Sequence, residues 1–237
     1  MISSQRYRFC PAFHIFPMHI PTNGTLMDAL IPVPSALLPP DGYILGIGTN
    51  VEPDRNAARI AARLADLFGS VLLSRFYRTA PVGMASAHPF VNYCAYVPSA
   101  LDPACCKGLC VGIELALGRD RAHPCCKTRD RPADIDLIGR VGRSVPADGL
   151  TALRPDPYLA APFAEIAALL TGKPVPPPRG DLCAAAVPGC RIGSPRLGEA
   201  PATVHRDDGA GLIVVPEDGL DRHADGLHPA LLAEQRL

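Results

Sequence analysis

Two proline clusters enclose the stretch of this 237-residue chain whose hydrophobic pattern is sustained, and that pattern alternates between strand and helix periods. Pro39-Pro40-Asp41-Gly42 breaks the chain on one side, and residues 174–178, with four prolines in five positions, break it on the other. A proline fixes φ and removes an N–H, so neither cluster continues a helix or an inner strand. Between them, residues 43–47 (Tyr-Ile-Leu-Gly-Ile) read as a buried strand ending at Gly48-Thr49-Asn50. Asp54 is placed to cap a helix whose apolar face is Ile60, Leu64, Leu67 and Phe68 and which Gly69 stops. Residues 71–77 return to strand chemistry, and a loop with Pro81, Gly83 and Pro89 leads to a strand over 90–97, rich in aromatic and β-branched residues. Asp102-Pro103 opens a second helix with apolar Cys106, Leu109, Cys110, Ile113 and Leu117, ended by Gly118. A basic loop over 119–132 leads into a strand at 133–137, and residues 161–170 predict a last short helix. The order β-α-β-β-α-β predicts an α+β fold of ferredoxin-like type, a sheet with its helices on one face.

Outside these limits the pattern fails. Residues 1–42 read as a disordered N-terminal extension, residues 43–173 as the folded domain, and residues 174–237 as a Pro/Gly-rich C-terminal extension in which Leu212-Ile213-Val214-Val215 can form one short strand. The compact part is expected to end at the second proline cluster. Lys plus Arg and Asp plus Glu both total 23, so no net field recruits nucleic acid or an anionic membrane, and an anionic ligand must be held locally. The apolar runs are too short to span a bilayer, and no secretory leader is expected. Nine cysteines, an odd number with two adjacent pairs, argue for reduced thiols and a cytoplasmic protein, and the absence of C-x-x-C spacing argues against zinc.

Asp134 and Asp136 lie one residue apart in a strand, so the two-residue period puts both carboxylates on one face, with Cα atoms about 6.6–6.8 Å apart. Two like charges in an otherwise apolar strand repel unless cations or several donors offset them. Mg²⁺ suits such a pair, because it takes carboxylate oxygens and fills its other positions with water and phosphate oxygens. Arg119, Arg121, Lys127, Arg129 and Arg131 put five cations within thirteen residues directly upstream, a cluster suited to a polyphosphate. Either feature alone is commonly a solvated surface; their adjacency favours a site. Gly46-Ile47-Gly48 lacks the third glycine of a dinucleotide fingerprint, and no Walker A sequence occurs.

Arg131-Pro132-Ala133-Asp134-Ile135-Asp136 resembles the R-x-x-D-x-D signature of the 6-hydroxymethyldihydropterin pyrophosphokinases, which move pyrophosphate from ATP to a pterin alcohol. Four more segments agree in order over about residues 43–170: the first strand with its Gly48-Thr49-Asn50 turn, Tyr77-Arg78-Thr79-Ala80-Pro81-Val82-Gly83 as Y-x-T-x-P-x-G, Phe90-Val91-Asn92 as aromatic-x-Asn, and Glu114 through Gly118-Arg119-Asp120-Arg121 as E-x-x-x-G-R-x-R. The resemblance implies that Asp134 and Asp136 hold two Mg²⁺ bridging the phosphates of ATP. It implies that Asp134, Arg119 and Arg131 are catalytic, and that Glu114, Arg121, Lys127 and Arg129 bind ATP. Thr79, Ala80, Val82, Phe90, Asn92 and Asp134 would then bind the pterin, with Phe90 stacked on its ring. Phe90 as an ordinary core residue is the competing reading.

The chain departs from the family pattern in two places. The basic loop is about two residues longer. Ahead of the last helix, Pro155 to Pro162 runs some six residues short, and the family's His and Arg have no counterpart there; Tyr158 and Phe163 are the two candidates for a second stacking face. A pterin- or nucleotide-binding protein without catalysis is therefore the alternative function.

Overall fold

The computed structural model describes residues 41–84, 86–142, 147–186, 196–207 and 211–217, so residues 1–40 of the expected N-terminal extension (1–42) lie outside the described residues, while Gly42, the last residue assigned to it, already belongs to the first strand. Strand β1 (Gly42–Thr49) is buried at every position, as a strand with neighbours on both edges and helices on both faces must be. Helix α1 (Pro53–Phe68) follows, then β2 (Ser70–Leu73), β3 (Phe76–Thr79), β4 (Phe90–Pro98), α2 (Pro103–Ala116), β5 (Asp134–Val141), α3 (Ala147–Ala152) and α4 (Ala160–Leu170). Among the described residues, the antiparallel sheet runs β5-β1-β4-β2 inward from its β5 edge. No described helix is long and apolar enough to cross a membrane.

Alternation along β1 sorts two cores. Tyr43, Leu45 and Ile47 face a cluster with Ile60 and Leu64 of α1 and Cys106, Cys110 and Ile113 of α2. Ile44 faces the other side, where Cys94 and Tyr96 of β4 meet Leu159, Phe163 and Ile166 at α4. The expectation of helices on one face is thus corrected, because α4 covers the second face. The same alternation explains it, since Ile44, Cys94 and Tyr96 need an apolar cover as much as their neighbours do.

Local departures have local causes. Asp102 caps α2 as expected, accepting from Ala104 N and Cys105 N at 2.9 and 3.0 Å. Asp54 does not cap α1; its two oxygens instead take Arg78 Nη2 at 2.7 and 2.8 Å. The cap position falls to Glu52, a left-handed residue with φ 42°, and Asn56 closes the turn by donating to Val51 O at 2.7 Å. The strand expected over 71–77 is two strands. At the break, Ser74 N bonds Cys94 O at 3.0 Å while Arg75 N turns away to the Glu165 carboxylate at 2.8 Å.

The compact fold does not end at the second proline cluster. β6 (Asp181–Cys183) pairs with the free edge of β3, β7 (Ala185–Ala186) and β8 (Arg196–Leu197) form a small ribbon, and β9 (Ala202–Asp207) and β10 (Gly211–Pro216) extend the sheet beyond β2. The expected strand at 212–215 is therefore part of the main sheet. Leu197, Val204 and Leu212 are buried in the α1 core. Arg75 fastens the crossing, donating to Pro176 O at 3.1 Å and to the buried Glu165 at 2.9 Å. Short apolar segments set among Gly, Pro and Asp carry too weak a period to announce this, and the neighbouring β2 and β3 edges supply the pairing.

Candidate active site

Register builds the site. Tyr77, Asn92, Gly48 and Asp134 are successive partners across β3, β4, β1 and β5, and Cys94, Gly46 and Asp136 form the parallel row next to them. Directly opposed residues share a face, so Asn92, Asp134 and Asp136 stand together on the side that α4 covers. The two glycines of β1 make room between them. A Cβ on Gly48 would come within 2.7 Å of Asn92 Oδ1, and one on Gly46 within 2.5 Å of Leu159 Cδ1.

Over this floor lies a cleft, partly open to solvent, lined by Thr79, Ala80, Val82, Phe90, Asn92, Arg131, Asp134, Asp136 and Tyr158 among others. The structure thus brings together all six residues expected at the pterin, Asp134 among them, with Asp136 and Arg131. Asn92, only 3% exposed, donates from Nδ2 to Thr79 Oγ1 at 2.6 Å. Phe90 is half-buried beside the cleft and absent from both cores, so its ring is available as a stacking face.

Asp134 sits between two guanidinium groups, bonded to Arg119 through Oδ1 and to Arg131 through Oδ2, the latter at 2.5 Å. Burial alone would raise its pKa; the two arginines outweigh that and hold the carboxyl below the usual range. Arg131 Nη2 also reaches Lys127 O, and its backbone is gripped by Asn50, whose Oδ1 accepts from Arg131 N at 2.8 Å and whose N donates to Arg131 O at 3.1 Å. Asn50 Nδ2 donates to Asp130 at 2.6 Å. Arg119 is nine-tenths buried, and its Nε is a buried donor without a partner among the described residues.

The four expected ATP contacts stand elsewhere. Glu114 has no exposed surface; it accepts from Ile135 N at 2.8 Å and pairs with Arg119 at 3.2 Å and with Arg121 Nε at 2.5 Å. It is a strut that orients the arginines, not a group open to a ligand. Arg121, engaged by it, lies outside the cleft lining, as do the exposed Lys127 and Arg129. Of the two candidates for a second stacking face, Phe163 is core and Tyr158 lines the cleft. Burial, the bond to Asp156 and the charges of Asp134 and Asp136 push the Tyr158 hydroxyl well above its ordinary pKa.

Residues 44–168 match the family 7,8-dihydro-6-hydroxymethylpterin-pyrophosphokinase. The chain belongs to this family. It is 38% identical over 97 residues to 2-amino-4-hydroxy-6-hydroxymethyldihydropteridine pyrophosphokinase of Porphyromonas gingivalis, covering 40% of this chain and 65% of that protein. The protein of the same name from Methylorubrum extorquens is 30% identical over 132 residues, 52% of this chain and 80% of its own length. The chain thus spans just under two thirds of the Porphyromonas relative it matches.

Residues of the family's motifs line the cleft, but three residues around it were not singled out for a role by sequence. Asn50 belongs to the Gly48-Thr49-Asn50 turn, and a buried carboxamide at a strand end is the signal of a backbone clamp. Glu165 is a buried acid on an apolar helix, accepting from Tyr77 OH and Arg75; burial and that bond push Tyr77 up to about 12. Lys107 is the single charge in the apolar first turns of α2 and bonds Asp136 at 2.8 Å.

Among the described residues no three His, Cys, Asp or Glu side chains assemble. A hard cation here would have two carboxylates from the protein, those of Asp134 and Asp136, a set that would fit Mg²⁺ with water and phosphate oxygens completing it.

Proposed function

We propose that the chain transfers pyrophosphate from ATP to 6-hydroxymethyl-7,8-dihydropterin, giving AMP and the pterin diphosphate. The observation that carries this reading is the convergence on one cleft of the acid pair, Arg131, Phe90 and an Asn92 carboxamide held by Thr79. The hydroxymethyl oxygen attacks the β-phosphorus, the bond to the α,β-bridging oxygen breaks, AMP departs with that oxygen, and the hydroxyl proton passes to solvent. Such a transfer needs alignment and charge stabilisation more than a covalent nucleophile. Asn92 Oδ1 offers an acceptor to the pterin's amide edge, and Phe90 and Tyr158 offer ring faces. Arg131 and the buried Arg119 place guanidinium forks where triphosphate charge would lie.

Asp134 and Asp136 would hold Mg²⁺, two ions in our reading, which when bound would screen the phosphates. The strand order β5-β1-β4-β2 supports the ferredoxin-like reading of the βαββαβ unit. The alternative, a binding protein without catalysis, is favoured by the shortened stretch over 155–162 that lacks the family's His and Arg. Incubation with ATP, Mg²⁺ and the pterin decides between them: AMP formation that Asp136→Asn abolishes supports transfer, and tight binding of both ligands without AMP supports the alternative.

A further inference from the structure

We propose that Lys107 is the resident counter-ion of Asp136, a protein cation standing where a divalent cation would bind and having to leave before one does. The inference rests on the reading of Asp134 and Asp136 as the metal-binding pair. Helix α2 packs on the face of the sheet opposite the cleft, and β5 is the edge strand of the described sheet on that side. Lys107 nevertheless extends past that edge, and its Nζ bonds both Asp136 Oδ1 at 2.8 Å and Ile135 O at 2.5 Å. Ile135 N is taken by Glu114 of the same helix at 2.8 Å. Both outward backbone groups of Ile135 are thus closed by α2 side chains, and the ammonium is fixed by two acceptors instead of sweeping freely as surface lysines do.

The charge arithmetic of the pair follows. Asp134 is offset by Arg119 and Arg131, leaving Asp136 as the acid with no arginine against it. Asp136 is 69% exposed on its side chain, so water reaches it and an incoming cation can too. Lys107 cancels the repulsion between the two carboxylates in the unliganded protein, and by the same contact competes with any cation for Asp136 Oδ1. The ammonium brings one charge and three donors, one of them spent on Ile135 O, whereas a divalent ion brings two charges and several coordination positions, so the exchange is drawn forward when nucleotide is present.

Mn²⁺ binding, followed by the loss of the free-ion paramagnetic resonance signal, tests this with and without a non-hydrolysable ATP analogue. Lys107→Met should tighten Mn²⁺ binding roughly two- to fivefold, the range a partly exposed ion pair can contribute, and Lys107→Arg should restore the weaker binding. A merely structural role at Ile135 O would lower thermal stability without tightening the metal. Lys107→Met binding Mn²⁺ no better than the unaltered chain in either condition, while Asp136→Asn loses it, overturns the assignment of Lys107 alone. Asp136→Asn binding Mn²⁺ like the unaltered chain overturns the metal reading beneath it, and the counter-ion role falls with it.

Discussion

Replacing Glu114 separates a ligand contact from a buried strut. Its carboxylate has no exposed surface and serves three donors: Ile135 N at 2.8 Å, Arg119 at 3.2 Å and Arg121 Nε at 2.5 Å. Glu114→Ala leaves the Ile135 amide unpaired in the interior and removes one carboxylate from Arg119, which keeps Asp134 and Ala133 O as partners. Arg121, about one third exposed, returns to water. Breaking one side of a buried ion pair costs about 3–5 kcal/mol, and the partners Arg119 retains put this case near the lower end, about 3 kcal/mol. For a fold of this size that lowers Tm by about 6–12 °C. Glu114→Gln keeps the volume and one acceptor for Ile135 N, so its cost should be smaller, about 1–3 kcal/mol. Thermal unfolding followed by far-UV circular dichroism, with ATP titrated calorimetrically in parallel, measures both consequences. A Glu114→Gln protein with unchanged Tm and sharply weakened ATP binding would refute the strut and restore Glu114 as a nucleotide contact.

Gly48→Ala should fold but push Asn92 aside, since the new methyl would lie 2.7 Å from Asn92 Oδ1; we expect pterin affinity to fall about tenfold or more, consistent with ~1.4 kcal/mol or more, with ATP affinity held, and equal losses for both ligands would contradict it. Asp134 has its folded pKa depressed by Arg119 and Arg131 against the opposing effect of burial. Its stabilisation is therefore complete above the unfolded value of about 3.9 and is lost as pH falls through the lower folded value; acid unfolding of Asp134→Asn should be shallower below about pH 4, and parallel curves would show that the pair contributes nothing. A chain ended after Lys173 loses Leu197, Val204 and Leu212, all buried, and at about 1.5–3 kcal/mol for each side chain should be destabilised by about 5 kcal/mol or more; cooperative unfolding at the full chain's Tm would show that β6 to β10 are dispensable.

The central elements were legible because they obey strong local rules. β1 and β4 are apolar runs bounded by breakers, and α2 opens with a capping Asp and Pro at N1. What pairs with what was not local. β6 and β9 are short and sit among turn residues, and they become strands because β3 and β2 present edges to them. Similarly, α4 reads as a helix from its own period, but its placement on the second face follows from Ile44, Cys94 and Tyr96 emerging there, which only the register reveals.

The same division holds within the site. Residues that line the cleft were recoverable from order and type: two acids at a period of two, Asn within a strand, an aromatic beside it. Residues that hold those side chains in place were misread or missed, because charge type does not say which way a side chain faces. Glu114 and Lys107 lie on one helix, two turns apart, and close the N–H and C=O of the same residue, Ile135. One then turns inward to the arginines and the other passes the edge of β5 to Asp136. Helix α2 therefore reaches both acids: Glu114 pairs with Arg119, which pairs with Asp134, and Lys107 pairs with Asp136. If phosphates bind the arginines and a cation binds the carboxylates, as proposed, each exchange would free a partner of the other and the two would be coupled.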